Sequence, residues 1–434
     1  MRVWSHEVYA GKKSLGEVDW KGKRVFVRVD YNVPLRGGEV LDRAKIQGTI
    51  PTLQFLLRKG VERLIIGTHL GRPECVADPI SSAVSGGVEP VIAALNEELV
   101  LAGESVQFKL VFMRGEEIGE KWGVVQNLRT LRVEKSVGDA VSKKLFDQFI
   151  AMNCDIMVSD GFGVLHRKDY SVVGVKLEKI PGLLVDAEMQ GISFLLGNVR
   201  PLEERSPGAV SKKEISQFLA VANDPSRFKA NTGKPIDLLI IGGCKLEDKI
   251  GLVKNLAGIA ANIFLGGLLG TPFLNKIPDR DVEEIIERTS QEGTSVFLPV
   301  DYRLADQRTV LASKILETEV EEVRDIGEAS GKLLGSLIKR SQRVFWNGTL
   351  GMAEKTEYEQ GTKQALEAIQ NQKHSLQQQE AQTMFCAGGG DTSGYIHRAG
   401  YTSAFDFVFT GGGATLEALE GKILPGIDAL ADRL

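Results

Sequence analysis

The feature that most constrains this 434-residue chain is a series of short apolar runs, each closed by a glycine or a polar residue. Runs of this length and punctuation are typical of strands buried on both faces of a parallel sheet. Segments with helical spacing lie between them, as at 49–60 and 248–256. The alternation predicts doubly wound α/β sheets, in which ligands bind beyond the carboxyl ends of the strands. The runs predicted as strands are 23–29, 63–68, 155–160, 237–243, 262–267, 294–301, 343–348, 383–390 and 405–413.

Length and loop signals predict two domains. A chain of 434 residues exceeds one domain of about 150 residues. Turn-forming residues interrupt the pattern between 200 and 234, and 213–222 has the spacing of a connecting helix. We therefore place the first domain at 1–200 and a hinge with the second domain at 201–414.

Composition and charge exclude several classes of protein. The net charge of −4 indicates no general affinity for nucleic acid, so any anion site must be a local cluster of basic residues. The chain has no stretch of about 20 apolar residues, which is the length needed to span a membrane, and we expect no signal peptide. The widely separated cysteines have no metal-ligand spacing and favour a reducing compartment, so we expect a cytoplasmic protein. These cysteines are Cys75, Cys154, Cys244 and Cys386.

Three glycine-rich turns in the second half each follow a predicted strand and open a helix. They are GGCKLEDK at 242–249, GGGDTS at 388–393 and TGGGAT at 410–415. Glycine lets the backbone approach phosphate oxygens, and a helix N-terminus offers free N–H donors. Asp391 could hold Mg²⁺, and Thr392 could cap its helix while donating to a phosphate. Each turn alone could equally be a plain strand-to-helix connection, and no Walker P-loop occurs.

Basic residues follow predicted strands in the first half. Each one alone is more often a surface charge. Together they predict a pocket for a substrate that bears phosphate and carboxylate, because guanidinium groups grip such oxygens bidentately. These basic residues are Arg28, His69, Arg72, Arg129, His166 and Arg167.

Over nearly its whole length, the chain resembles the phosphoglycerate kinase family. No single segment is decisive, but about ten segments in family order are very specific. They are KRVFVRVDYNVPL (23–35), IPTLQFLLRKG (50–60), THLGRP (68–73), NLR (127–129), SDGFGVLHR (159–167), IIGGCKLEDKIGLVKNL (240–256), FLPVD (297–301), FWNGTLGMAEKTEYEQGT (345–362), GGGDT (388–392) and TGGGATLEALEGKILPG (410–426).

The resemblance implies two Rossmann-like domains joined by a helical hinge, with a C-terminal tail at about 415–434 packed on the first domain. It implies reversible phosphoryl transfer between 1,3-bisphosphoglycerate and MgADP, giving 3-phosphoglycerate and MgATP. The first domain would bind the phosphoglycerate and the second the nucleotide with Mg²⁺. The family also leads us to expect a monomer whose partners are these small molecules.

The resemblance also implies roles for individual residues. Phosphoglycerate would be bound by Asp30, Tyr31, Asn32, Lys45, His69, Leu70, Gly71, Arg72, Arg129 and Arg167. Nucleotide would be bound by Gly243, Lys245, Lys249, Asn347, Glu354, Gly389, Gly390, Asp391 and Thr392, with Asp391 holding Mg²⁺ through the nucleotide. The transferring group would be met by Lys45, Lys245, Gly411, Gly412 and Gly413.

Several positions depart from the family pattern. Lys45 lies where the family has arginine, so the charge is kept and the planar fork is lost. Asp169 lies where histidine is common and adds negative charge beside a site for anions. The other departures are Ser159, Gly161, Leu268, Thr349 and an insertion at about 199–212.

Two alternatives to an active kinase remain open at this point. The departures at Lys45 and Asp169 would suit a catalytically weak homologue that binds nucleotide or phosphoglycerate as a regulator. The alternating pattern would also suit a dinucleotide-dependent dehydrogenase, although no GxGxxG follows the first strand. Turnover with 3-phosphoglycerate and MgATP separates the first alternative from the kinase.

Overall fold

The chain forms two compact units. The computed structural model describes residues 11–73, 87–114, 116–135, 140–196, 217–218, 220–230, 232–243, 246–247, 249–274, 280–379, 381 and 383–433. Unit 1 comprises Met1–Ser193, Gly413–Ala418 and Lys422–Leu434, and unit 2 comprises Phe194–Gly412 and Leu419–Gly421. In the described part of the chain, no helix is long and apolar enough to cross a membrane.

Unit 1 is built on a six-stranded sheet with strand order β5-β6-β4-β1-β7-β8. Every neighbouring pair in this sheet is parallel. A short antiparallel hairpin, β2-β3, lies outside it. The elements are β1 Arg24–Arg28, β2 Leu35–Arg36, β3 Glu39–Val40, α1 Ala44–Gln47, α2 Ile50–Arg58, β4 Arg63–Gly67, α3 Glu89–Leu101, β5 Lys109–Val111, β6 Trp122–Val125, α4 Arg132–Lys135, α5 Ala140–Asn153, β7 Ile156–Ser159, β8 Lys179–Pro181 and α6 Leu183–Leu196.

Helices cover both faces of this sheet because successive strand residues point to opposite sides. Val25 and Val27 of β1 belong to the same apolar cluster as residues of α2 and α3. Phe26, between them, belongs to a second cluster that includes Phe146 and Phe149 of α5. The central strand is therefore apolar on both sides, which explains its nearly continuous hydrophobic sequence.

Unit 2 repeats this architecture with a second parallel sheet of order β11-β10-β9-β15-β16-β17. A separate antiparallel sheet has the order β13-β12-β14. The elements are β9 Ile236–Ile241, α7 Ile250–Ala257, β10 Ala260–Leu265, α8 Arg280–Gln291, β11 Ser295–Phe297, β12 Asp301–Leu304, β13 Thr309–Leu311, β14 Val323–Ile326, α9 Glu328–Ile338, β15 Arg343–Asn347, α10 Gln360–Gln378, β16 Met384–Gly388, α11 Gly390–Arg398 and β17 Phe407–Val408.

Two short C-terminal helices follow, α12 Gly413–Leu419 and α13 Pro425–Asp428. The segment after α12 is bonded to the part of unit 1 that comes from the first half of the chain. The Gly426 N–H donates to the Leu165 carbonyl at 2.8 Å, and the Ala431 N–H donates to the Lys179 carbonyl at 2.9 Å. The Lys12 ammonium forms an ion pair with Asp432 at 2.8 Å. Unit 1 therefore combines residues from distant parts of the chain.

The predicted fold class is confirmed, and each run predicted as a strand overlaps one, although β9 and β10 begin one and two residues before their runs. The predicted helices at 49–60 and 248–256 correspond to α2 and α7. The sequence interpretation missed β5, β6, β8 and the antiparallel sheet, whose three- or four-residue strands are too short for a periodicity signal. The predicted insertion at 199–212 and most of the predicted connecting helix at 213–222 lie outside the described residues.

Candidate functional site

In unit 1, the predicted phosphoglycerate-binding residues follow four strands of one parallel sheet. Asp30 follows β1, His69 follows β4, Arg129 follows β6 and Arg167 follows β7. Since carboxyl ends of parallel strands share one edge, these side chains belong to the same edge of the sheet. Arg167 Nη1 lies 3.4 Å from His69 Nε2, and the charges of Arg167 and Arg72 both act on Arg129.

Lys45 and Asp30 form an ion pair at this edge. The Lys45 ammonium, on α1, donates to Asp30 Oδ2 at 2.7 Å and lies 3.4 Å from the Asn32 carbonyl oxygen. Burial opposes the charge on Asp30, but the Lys45 ammonium and the other groups around the carboxyl, which include the Asn32 N–H, together lower its pKa. Lys45 is therefore a cation held beside the site, at the position where the family has arginine.

His69 is neutral and oriented by an arginine. Its ring is buried, and burial, followed by the charge of Arg28, lowers its pKa to about 2. Arg167 Nη1 lies 3.4 Å from His69 Nε2, and a guanidinium can only donate, so Nε2 accepts and Nδ1 carries the hydrogen. Nδ1 is buried, and no group in the described residues accepts its hydrogen. A neutral donor of this kind suits an anionic ligand oxygen.

The arginines crowd one another around this histidine. Burial, and then the charge of Arg167, lowers the pKa of Arg129, while Asp169 acts in the opposite direction. Arg129 Nη1 donates to the Gly71 carbonyl at 2.6 Å, and Asn32 Oδ1 accepts from the Gly71 N–H at 2.9 Å. The loop at Gly71 is thereby fixed between two predicted site residues. Mutual repulsion of fixed guanidinium groups is relieved when an anion binds among them.

Three sequence expectations about unit 1 need correction. Arg28 does not join the pocket: it is buried and ion-paired with Glu134 at 3.5 Å. Tyr31 is fully buried, with its hydroxyl 2.6 Å from Thr49 Oγ1 and its N–H donating to Thr68 Oγ1 at 2.9 Å, so both groups are engaged inside unit 1. Leu70 is also buried. Arg72, in contrast, is exposed.

In unit 2, Lys249 and Asn347 meet at the carboxyl edge of the second sheet. The Lys249 ammonium donates to Asn347 Oδ1, and Asn347 Nδ2 donates to the Gly388 carbonyl at 2.8 Å. The Gly242 N–H donates to the Asn347 carbonyl at 2.8 Å. These bonds join the ends of β9, β15 and β16. The Asn347 side chain thereby positions Lys249 beside the turns that follow these three strands.

Glycines shape these turns. Gly348 has φ of 91° and Gly389 has φ of 98°, a region that favours glycine. The Gly348 N–H donates to Thr392 Oγ1 at 2.7 Å. The expectation that Thr392 caps α11 was wrong: the helix begins after Gly389, and the buried threonine hydroxyl binds the neighbouring turn instead. Asp391 is exposed in the first turn of α11.

The remaining nucleotide-site predictions fall in different places. Gly243, with φ of 132°, follows β9, and Glu354 is exposed in a turn after β15. Lys245 lies outside the described residues. Gly390 begins α11, Gly413 begins α12, and Gly411 and Gly412 lie between β17 and α12.

The described residues contain no cluster of three or more histidine, cysteine, aspartate or glutamate side chains able to hold a metal by themselves. Asp391 therefore offers a single carboxylate. Mg²⁺ commonly takes one or two carboxylates and completes its shell with phosphate oxygens and water, so this residue fits Mg²⁺ that arrives with a nucleotide.

Comparison with known proteins identifies the family. The family described as phosphoglycerate kinase matches residues 15–204 and 202–422. The chain is 31% identical over 439 residues to phosphoglycerate kinase of Helicobacter pylori, with 97% of each chain covered. It is 30% identical over 447 residues to that of Clostridium botulinum, with 97% of this chain and 99% of the relative covered.

Two solved structures share the fold. Phosphoglycerate kinase from Coxiella burnetii aligns with a TM-score of 0.67 at 24% identity, and the enzyme from Pyrococcus horikoshii aligns with 0.69 at 21%. Each alignment covers 96% of this chain and 98% of the other. The predictions of family and of a phosphotransferase are confirmed, and neither alternative gains support. This chain belongs to the phosphoglycerate kinase family.

Proposed function

We propose that unit 1 holds 3-phosphoglycerate or 1,3-bisphosphoglycerate, that unit 2 holds MgATP or MgADP, and that the chain transfers a phosphoryl group reversibly between them. The observation that carries this assignment is the cationic cluster of unit 1. Arg129 and Arg167 repel each other beside a neutral His69 whose N–H has no acceptor among the described residues. Such a cluster is complementary to a small ligand with several negative charges.

Within unit 1, we assign the phosphate and carboxylate of the ligand to Arg72, Arg129, Arg167 and His69. Asp30, kept ionised by Lys45, can accept a hydrogen bond from the substrate hydroxyl. Asn32 Oδ1 accepts a hydrogen bond from the Gly71 N–H, so we assign the Asn32 NH₂ group as the donor to a ligand. Lys45 would carry positive charge toward the transferring group.

Within unit 2, we assign the nucleotide phosphates to Lys249 and to the backbone of the turns at Gly243 and Gly389. Asn347 positions Lys249, and Glu354 would bind the ribose. Asp391 would hold Mg²⁺, which neutralises the phosphate oxygens when bound. Lys245, Gly390, Thr392 and Gly411–Gly413 retain the roles expected from the family.

The chemistry suits these groups. Phosphoryl transfer depends on positioning and on neutralising charge on the phosphate oxygens, and it needs no nucleophilic side chain. Fixed cations in unit 1 and fixed N–H donors in unit 2 act in this way. We also propose a monomer, as the family leads us to expect, in the cytoplasm. The buried free thiols of Cys154 and Cys386 support a reducing compartment.

The substitution Lys249→Ala tests the assignment of nucleotide to unit 2 and of phosphoglycerate to unit 1. Loss of an ammonium bound to nucleotide phosphates should raise the KM for MgATP by at least about tenfold, since hydrogen bonds to charged groups contribute roughly 1.5–3 kcal/mol. The KM for 3-phosphoglycerate should stay unchanged. Steady-state turnover with both substrates measures the two constants.

Lys254→Ala is the matched control, because Lys254 lies on the adjoining helix α7 and pairs with Glu284 at 2.7 Å. Its kinetics should match those of the unmodified protein. Equal increases of both KM values in Lys249→Ala would contradict the assignment of nucleotide to unit 2. Absence of turnover in the unmodified chain would instead favour the alternative of a regulator that binds its ligands without catalysis.

A further inference from the structure

Three buried polar side chains form a network behind the cationic cluster of unit 1. Arg28 Nε donates to Ser171 Oγ at 2.6 Å, and the same hydroxyl donates to Glu134 Oε1 at 2.6 Å. The Ser171 N–H donates to Glu134 Oε2 at 2.9 Å. Arg28 and Glu134 are each 1% exposed and lie 3.5 Å apart. We call Arg28, Glu134 and Ser171 the buried triad.

Each member of the buried triad belongs to a segment that carries a proposed ligand-binding residue. Arg28 ends β1 two residues before Asp30. Glu134 lies in α4, five residues after Arg129, and Ser171 lies in the helical turn Tyr170–Gly174, four residues after Arg167. The network therefore ties together three loops that are far apart in sequence.

The charges of Arg28 and Glu134 strengthen the interactions within the buried triad. Burial raises the pKa of Glu134, and Arg28 with the two Ser171 hydrogen bonds acts against that rise. A buried charge that loses its partner is strongly unfavourable, so the triad resists partial separation. Arg28 also acts electrostatically on His69 and Arg129, which couples the triad to the cluster itself.

We infer that Glu134 is a positioning residue for the phosphoglycerate site, which sets the spacing of Arg129, Arg167 and Asp30 by holding Arg28 and Ser171. The inference rests on the proposed function of unit 1. Glu134 touches no substrate in this scheme. Its effect is transmitted through the loops that it joins.

Glu134→Gln tests this role because the side chain keeps its shape and loses its charge. It leaves the charge of Arg28 without its ion-pair partner and replaces one of the two acceptor oxygens used by Ser171 with an NH₂ donor. We expect the KM for 3-phosphoglycerate to rise about tenfold, as misplaced binding groups can lower rates by about 100-fold. The KM for MgATP should not change. Ser171→Ala removes the hydroxyl links alone and should raise the same constant by a smaller factor.

Asp155→Asn is the matched control. Asp155 pairs with Arg24 at 2.6 Å, at the amino end of the same strand β1. This variant disturbs an ion pair of β1 on the opposite edge of the sheet. Its melting temperature should fall, and both KM values should remain those of the unmodified protein. A merely structural role for Glu134 would make the two variants kinetically alike.

The outcomes separate the inference from the function on which it rests. Arg167→Ala is measured in parallel. If Arg167→Ala raises only the KM for 3-phosphoglycerate while folded Glu134→Gln leaves it unchanged, the positioning role is overturned and the assignment of unit 1 survives. If Arg167→Ala raises both KM values equally, the assignment itself fails. Should Glu134→Gln not fold, Ser171→Ala decides: an unchanged KM for 3-phosphoglycerate overturns the role.

Discussion

Unit 1 and unit 2 use the same topological position, the carboxyl edge of a six-stranded parallel sheet, with different chemistry. Unit 1 gathers cationic side chains from the ends of β1, β4, β6 and β7. Unit 2 gathers glycine turns from the ends of β9, β15 and β16, with Lys249 held among them by Asn347. In unit 1, a substitution removes one ligand contact and leaves the others. In unit 2, a substitution at a glycine with positive φ changes the conformation of the whole turn and therefore all of its contacts. The two sites should therefore respond differently to substitution.

The largest effect is expected from Gly348→Ala in unit 2. Gly348 has φ of 91°, and a Cβ there would overlap the Gly242 carbonyl group. The turn must move, and the N–H bond to Thr392 must break or bend. We expect kcat/KM for MgATP to fall by about 100-fold, the order seen when binding groups shift by about 1 Å.

Gly400→Ala is the control for this substitution. Gly400 has φ of 77° but no heavy atom within 4 Å of a Cβ. It should cost about 1 kcal/mol of stability and leave both KM values unchanged. Wild-type nucleotide kinetics in Gly348→Ala would show that the glycine turn adapts, and the contrast between the units would disappear.

An intermediate effect is expected from Arg167→Ala in unit 1. The loss removes one guanidinium from a cluster and leaves the others, so we expect about 1.5–2 kcal/mol of lost binding, or roughly 10- to 30-fold in the KM for 3-phosphoglycerate. The KM for MgATP should not move. Arg58→Ala, an exposed arginine at the end of α2, is the control and should change neither constant. An abolished fold in Arg167→Ala would contradict the graded behaviour proposed for unit 1.

The smallest effect is expected from Lys45→Arg. Arginine restores a planar fork that can contact two oxygens of the transferring group, whereas lysine offers a point charge. We expect kcat to rise by about threefold, equivalent to roughly 0.7 kcal/mol of transition-state stabilisation. Pre-steady-state phosphoryl transfer measures it directly. A fall in kcat would indicate that the Asp30 ion pair has adapted to lysine.

Much of this arrangement follows from strand punctuation. His69 was predicted because parallel strands must end together at one edge, and the polar residue after an apolar run marks that edge. Asp30 and Asn347 were expected from the resemblance to the family. The burial of Arg28 was not predicted, although the alternation of side chains along β1 indicates it. Arg28 lies two residues after Phe26 and so points to the face covered by α5. A strand-end arginine on a helix-covered face indicates a buried partner.

Other features left no sequence signal. Glu134 is 106 residues from Arg28, and no spacing rule predicts an ion pair over that separation. The Thr392 hydroxyl could bind its own helix or a neighbouring turn, and only the approach of Gly348 decides between them. Residue patterns thus indicate which edge is functional, while tertiary packing decides which atoms are offered to a ligand.

The joining of residues 422–433 to unit 1 has a consequence for biosynthesis. These residues leave the ribosome after the whole of Phe194–Gly412, whose translation takes about 10–40 s at about 5–20 residues per second. During that interval the Leu165 and Lys179 carbonyls lack the partners supplied by Gly426 and Ala431. The unit that emerges first is therefore the one completed last, and ribosome-bound chains should acquire nucleotide affinity before they acquire affinity for phosphoglycerate.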